Sequence, residues 1–315
     1  IFSQSSYAAT QAAALGFSGN DFERAMKYTV RRSADVFHIF EEVFGSKERL
    51  YHVLPSWIAT DGWYSNELLS LMGQTLYNPH NIKVDGLAVA PYFGGEVADQ
   101  IAESGQVASI TVEEIIDRLD NSMEWVFNQI QINKSICDQN SIELIAYEGG
   151  QHLVANWPHV QNPALTEKLI AANRHPGMYD LYCKYTDFWY ETVQAGLFSF
   201  FSSHYLPNQW GSWGIKEYMD DINNPKYRAI KDCVLNTGST SADDPSAIRS
   251  IAIAPNPTTD WLYIQHAPEP PNWSVFGLDG RLCFAGVGSE LSVGSLPPGL
   301  YFLKIADQVF KFVKQ

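Results

Sequence analysis

The sequence predicts a mixed α/β domain followed by a small antiparallel β domain, and three observations carry that prediction. Across residues 1–236, apolar strand-like runs alternate with stretches of helical periodicity. Residues 237–246 read TGSTSADDPS, a Gly/Ser/Thr/Asp/Pro cluster without apolar period, which marks a linker. Residues 247–315 then carry short alternating runs separated by turn residues, the pattern of antiparallel strands.

Composition bounds what such a chain does. Its 315 residues suit one large and one small domain, and 45% hydrophobic against 18% charged residues supplies a core. The formal net charge of −14 opposes nucleic acid as a partner, because that binding depends on clustered Lys and Arg. The longest apolar stretches, such as residues 195–201, fall short of the roughly 18–20 residues that span a bilayer, so no transmembrane segment is expected. Cys137, Cys183, Cys233 and Cys283 form no C-x-x-C pair and suggest neither a zinc site nor a disulfide scaffold; buried thiols are expected. With no Asp-rich calcium loop, neither metal nor cofactor is expected. The chain opens at Ile1 without an initiator Met or signal segment, although an exported protein needs an export signal, so an upstream segment is expected to have been removed.

In chain order, Asp21 to Phe44 has apolar residues at helical spacing. Leu50 to Ile58 is a strand candidate, Asn66 to Met72 a helix, Val84 to Tyr92 a strand and Val112 to Ile130 an amphipathic helix. Ile142 to Tyr147 follows as a strand, Met178 to Val193 as an aromatic-rich helix, Gly196 to Ser202 as a strand and Pro225 to Val234 as the last helix. The stripe of Tyr179, Tyr182, Tyr185, Phe188 and Trp189 reads as packing. This alternation argues for a parallel sheet covered by helices, doubly wound or closed as a TIM barrel. No G-x-G-x-x-G follows a strand, which favours the barrel. Only four strand-helix units are readable where a barrel takes eight. The expectation is the second half of a TIM (β/α)8 barrel, N-terminally truncated, against a complete barrel whose other strands escape notice.

Chemistry in a barrel sits at the C-terminal strand ends. Glu148 follows the run Leu144–Tyr147, with Gly149 and Gly150 positioned to let a ligand approach the backbone. A carboxylate there suits a glycosidase nucleophile, or else is an ordinary turn Glu. Trp57, Trp63, Tyr92, Trp157, Trp210 and Trp213 fall at or after strand tips, where flat faces stack on sugar rings. His152 and His204 lack metal-ligand spacing and read as hydrogen-bonding wall residues.

In the C-terminal module, strand candidates are Ile251–Ala254, Trp261–Gln265, Trp273–Leu278, Arg281–Ala285, Leu300–Ile305 and Val309–Val313, a small β-sandwich. Asp279-Gly280 predicts a type I′ hairpin, and Pro297-Pro298-Gly299 another turn. By spacing alone this could equally be an immunoglobulin-like binding domain.

The wording goes further. Ala254-Pro-Asn-Pro-Thr-Thr-Asp260, Val275-Phe-Gly-Leu-Asp-Gly-Arg281, Leu296-Pro-Pro-Gly-Leu-Tyr-Phe-Leu-Lys-Ile305 and the final Lys314 resemble the type IX secretion system C-terminal sorting domain of Bacteroidetes-type cells. That resemblance implies contact with the secretion machinery through residues 247–315. It also implies passage across the outer membrane, usually followed by cleavage of this domain, and a secreted or cell-surface location.

Residues 1–235 resemble the C-terminal half of secreted retaining glycoside hydrolases of the clan A type. The resemblance rests on Ala146-Tyr-Glu-Gly-Gly-Gln-His152, Asn173-Arg174, Trp210-Gly-Ser-Trp-Gly214 and Pro225-Lys226-Tyr227. It implies a polysaccharide or oligosaccharide substrate and Glu148 as nucleophile at the tip of the seventh strand. The clan's acid/base, an Asn-Glu pair after the fourth strand, would sit upstream of Ile1, so the chain as given is not expected to run the full reaction. Glu96 and Asp61 are fallback partners within it. The alternative is a non-catalytic surface carbohydrate-binding or adhesive protein.

Overall fold

The computed structural model describes residues 5–235, 251–265, 271–305 and 308–315; the predicted linker 237–246 lies outside them. The chain divides into two units, Ile1–Thr240 and Ser241–Gln315.

The first unit is mixed helix and strand. Helix α1 (Ser5–Ala14) precedes α2 (Asp21–Phe44), whose start is fixed by a capping box in which Asn20 and Glu23 satisfy each other's backbone N–H. Strand β1 (Val53–Pro55), α3 (Trp63–Met72), β2 (Gly86–Val89), α4 (Val97–Glu103), α5 (Val112–Gln139) and β3 (Glu143–Ala146) follow. The strands pair in parallel in sequence order, with Leu54 beside Leu87 and Leu87 beside Leu144. All four residues of β2 are buried, as in an interior parallel strand covered on both faces. Residues 196–199 extend the sheet past β3: Ala146 bridges Phe198 in parallel, its N–H bonds the Leu197 carbonyl, and Ser199 N–H returns to the Ala146 carbonyl. The predicted strand Gly196–Ser202 thus contracts to one bridge and its flanking bonds.

Helix α6 (Pro163–Arg174) is capped by the Asn162 side chain, with Pro in its first turn. Helix α7 (Gly177–Asp187) runs on into a π-helical turn at Phe188–Thr192, and α8 (Pro225–Ile230) into another at Lys231–Leu235. The aromatic stripe of α7 packs as its spacing predicts. Tyr182, Tyr185 and Trp189 are buried, and their rings meet Phe93, Phe198 and Phe200.

The cysteines differ from expectation. Cys137 is a buried thiol, pushed up to about 12 by burial, and Cys283 is exposed. Cys183 and Cys233, however, are joined in a disulfide. Helix α7 and the turn after α8 bring their Cα atoms to 5.4 Å across a sequence separation of 50, a proximity that spacing alone does not reveal. A loop of that length implies roughly 4 kcal/mol of stabilisation through the unfolded state. Cys183→Ser combined with Cys233→Ser is expected to lower the unfolding midpoint in denaturant, and reductant to do the same to the wild type but not to the double variant.

The named strands of the second unit pair antiparallel, and one isolated parallel bridge joins Thr258 to Lys314. Strands β4 (Ala252–Ala254), β5 (Trp261–Gln265) and β8 (Glu290–Ser292) form one sheet in the order β4-β5-β8. Strands β6 (Asn272–Phe276), β7 (Leu282–Val287), β9 (Gly299–Ile305) and β10 (Gln308–Lys314) form another, ordered β10-β9-β6-β7. Alternate residues turn inward, so Leu262, Ile264, Trp273, Val275, Leu291, Leu303, Ile305 and Phe312 make one core from both sheets. The turn at Asp279-Gly280 is not type I′. Gly280 alone has positive φ (75°), Asp279 accepts from Arg281 N–H, and the ladder shifts register between Val275 and Phe276. A longer loop with a left-handed Gly and a bulge does the same work.

Candidate active site

Strand β3 ends at Ala146, and the next residues are stitched to the segment that follows β2. Tyr147 N–H bonds the Val89 carbonyl, Phe93 N–H the Gly150 carbonyl, and His152 N–H the Phe93 carbonyl. Between these bonds Glu148 stands half-buried at the strand tip. Among the described residues no hydrogen bond or ion pair engages its carboxylate, and burial raises its pKa above the ordinary carboxylate range. The Tyr92 phenol is raised chiefly by burial and next by the charge of Glu148.

Around them lies an aromatic wall. Tyr92, His152 and Trp213 meet pairwise edge to face with centroids 5.1–5.9 Å apart, and Phe201 joins Trp213 at 5.8 Å. Burial holds His152 below its usual pKa, so it is neutral at pH 7, and its Nδ1 is buried without a hydrogen-bond partner. Trp213 donates its indole N–H to the Trp210 carbonyl and accepts on its own carbonyl from Ser202 N–H.

Three glycines explain how tightly this is built. Gly149 and Gly150 serve the core rather than a ligand. A Cβ at Gly149 would stand 2.5 Å from the Phe198 ring, and one at Gly150 would stand 2.9 Å from the Tyr182 hydroxyl. Gly211, at φ +123°, lets the Trp213 ring lie where a Cβ would come within 2.5 Å of it. Gly211→Ala is therefore expected to displace Trp213 and to shift its fluorescence. The cost is about 1–3 kcal/mol of stability, read by denaturant unfolding.

Of the sequence-predicted residues, Tyr92, His152 and Trp213 come together, and Glu148 lies on the same strand-tip segment as His152 and influences Tyr92 through its charge. Trp210 touches the group through its carbonyl while its ring is exposed, and His204 is exposed, with Nδ1 3.1 Å from the Ser203 hydroxyl. Trp57 lies elsewhere, edge-on to Tyr64 and lining a mainly apolar cavity of about 510 Å³ between α1, α2 and β1 that also touches Tyr147. Trp63 stacks on Phe22, and Trp157 is 70% exposed. The Asp61 carboxylate accepts from the Gln129 amide on α5, and Glu96 is exposed ahead of α4. Sequence reasoning did not single out Phe201, or Gln151 and Lys226 as individual residues. The last two lie within recurring motifs, which was the available signal.

Among the described residues, no group of three or more His, Cys, Asp or Glu side chains is arranged to hold a metal, and no helix is long and apolar enough to cross a membrane.

Comparison with known proteins gives one family match. Residues 252–315 match the secretion system C-terminal sorting domain. No curated protein matches the chain in sequence. Among solved structures, an engineered protein is similar at TM-score 0.34 and 9% identity, over 92% of this chain and 59% of its own. A modular endo-β-1,4-mannanase from Cellulomonas fimi is similar at TM-score 0.33 and 9% identity, over 91% of this chain and 57% of its own. An endo-β-1,4-mannanase from Thermotoga petrophila is similar at 0.32 and 11%, over 97% and 75%. The chain thus spans less than two thirds of the length of the first two. The sequence motifs at Pro255, Gly280 and Gly299, the antiparallel sheets that hold them and the family match agree: residues 252–315 are a type IX secretion sorting domain, and the chain is an exported protein, secreted or held at the cell surface.

Proposed function

We propose that residues 1–236 are the second half of a TIM (β/α)8 barrel and act on polysaccharide as a retaining glycoside hydrolase, with Glu148 as nucleophile and residues 247–315 as the export module. The observation that carries this is the half-buried Glu148 carboxylate at a strand tip, engaged by no hydrogen bond or ion pair among the described residues, on the segment whose His152 meets Tyr92 and Trp213. An aromatic wall suits a pyranose ring, and the His152 imidazole adds a hydrogen-bonding group to that wall. Four parallel strand positions in sequence order, with helices between them, support the barrel half. The resemblance of the four sequence motifs to clan A hydrolases supports the chemistry.

Retention needs a second carboxyl group about 5–5.5 Å from the nucleophile to protonate the leaving oxygen. Asp61, one of the two fallback partners, is committed to Gln129. That observation favours a second reading, a surface carbohydrate-binding or adhesive protein that holds sugar without turnover.

A panel of aryl β-glycosides and plant or algal polysaccharides, assayed with the full-length natural protein as wild type, separates the two. Hydrolysis by the wild type that disappears in folded Glu148→Ala supports the enzyme; binding without hydrolysis in both proteins selects the binding protein; neither binding nor hydrolysis rejects a sugar site.

A further inference from the structure

Four motifs that recur in the sequence resemblance meet at one buried carbonyl. The Ser212 carbonyl accepts from Lys226 Nζ at 2.6 Å and from Gln151 Nε2 at 2.9 Å. Lys226 Nζ also donates to Asn173 Oδ1 at 3.2 Å, and the Asn173 amide donates to the Leu169 carbonyl of α6. Gln151 uses its own carbonyl oxygen to accept from Leu153 N–H. Gln151, Asn173, Ser212 and Lys226 are each under 5% exposed.

A lysine in such a place is costly. Taking an ammonium out of water carries a penalty of several kcal/mol, which a methionine of similar length would avoid. Burial draws Lys226 down to about 7 against the opposing charges of Glu217 and Asp221. Filling space therefore does not account for it. Its hydrogen bonds do: they fix from one side the peptide that leads directly into Trp213, while Gln151, next to His152, fixes it from the other.

We propose that Lys226 is a positioning residue which, with Asn173 and Gln151, clamps the Ser212 carbonyl and so preforms the face that Trp213 and His152 present to a ligand. In its functional part this rests on the sugar-site reading above; its structural part does not.

Lys226→Met in the full chain tests both parts. Hydrogen exchange at the Trp213 indole N–H, resolved by NMR, is expected to quicken about tenfold as the loop is released. Affinity for the tightest-binding member of a set of β-1,4-mannan, β-1,4-glucan and β-1,4-xylan hexasaccharides is expected to fall about tenfold, at a temperature where the variant is fully folded. Ile130→Val, a core truncation on α5, controls for lost stability and should move neither readout. Unchanged indole exchange and affinity in folded Lys226→Met overturn the proposal. If that variant does not fold, Gln151→Met removes the other donor to Ser212 and keeps the lysine; the same two changes are expected, and their absence overturns the clamp. Should the wild type bind none of the hexasaccharides, the sugar-site reading fails, while the exchange rate still decides the clamp.

Discussion

Glu148→Ala is expected to lose on the order of a thousandfold or more in kcat/KM toward the aryl β-glycoside that the wild type cleaves fastest, equivalent to about 4 kcal/mol of transition-state stabilisation. A substrate with a strongly acidic phenol suits this test, because its leaving oxygen departs without a proton and the nucleophilic step is observed by itself. The carboxylate attacks the anomeric carbon, the bond to the aryl oxygen breaks, and phenolate leaves. Alanine leaves room at that position. Added azide is then expected to restore turnover, forming a carbon–nitrogen bond at the anomeric centre as phenolate departs and yielding a glycosyl azide of inverted configuration. A carboxylate that merely braces its loop would show no such rescue. In the wild type Glu148 must be ionised to attack, and burial raises its pKa. The acid limb of the kcat/KM profile is therefore expected above the ordinary glutamate value of about 4.3, and activity is lost as pH falls through it.

The strand tip that carries Glu148 is legible in the sequence. The apolar run ending at Tyr147 locates the end of β3, at Ala146, to within one residue, and the next residue with chemistry is Glu148. The helix Asp21–Phe44 is readable to the residue, because its capping box and Gly45 in the left-handed region bracket a clear period. Strand ends were less sharp. Apolar residues of Leu50–Ile58 and Val84–Tyr92 continue beyond the hydrogen-bonded ladder, since burial and pairing do not end at one residue. Helix α6 went unnoticed, although its Asn162-Pro163 start is a legible signal, because Leu165, Leu169 and Ala172 make only a thin apolar stripe. Gly149 and Gly150 show the limit of local reading. Their missing side chains admit Phe198 and Tyr182, which are 49 and 32 residues distant in sequence. The clamp on Ser212 is equally non-local, for its two donors, Gln151 and Lys226, come from separate segments and Asn173, which accepts from Lys226, from a third.

Removing residues 252–315 is expected to abolish appearance of the protein at the cell surface or in the medium of a host with a type IX secretion system, leaving it inside the outer membrane. The reason lies in where the two cores are. Residues from Ala12 to Ala229 make the core of the first unit, and Leu262 to Phe312 that of the second, so the deletion takes away a whole core and cuts no strand of the other sheet. Loss of export would therefore report lost sorting rather than lost folding. A point change sharpens the test. Val275 is fully buried in β6, which pairs with both β7 and β9, and Val275→Asp places a carboxylate in that core. Its cost of several kcal/mol exceeds what so small a domain can spare. The folded surface of this module, not its mere presence, is what the machinery must recognise if Val275→Asp blocks export as the deletion does. Leu278→Asp, at a residue 70% exposed in the neighbouring turn, is expected to be exported normally. Immunoblots of cell, surface and medium fractions read all three variants, and export of the Val275→Asp protein at the wild-type level would instead assign recognition to a linear stretch of the sequence.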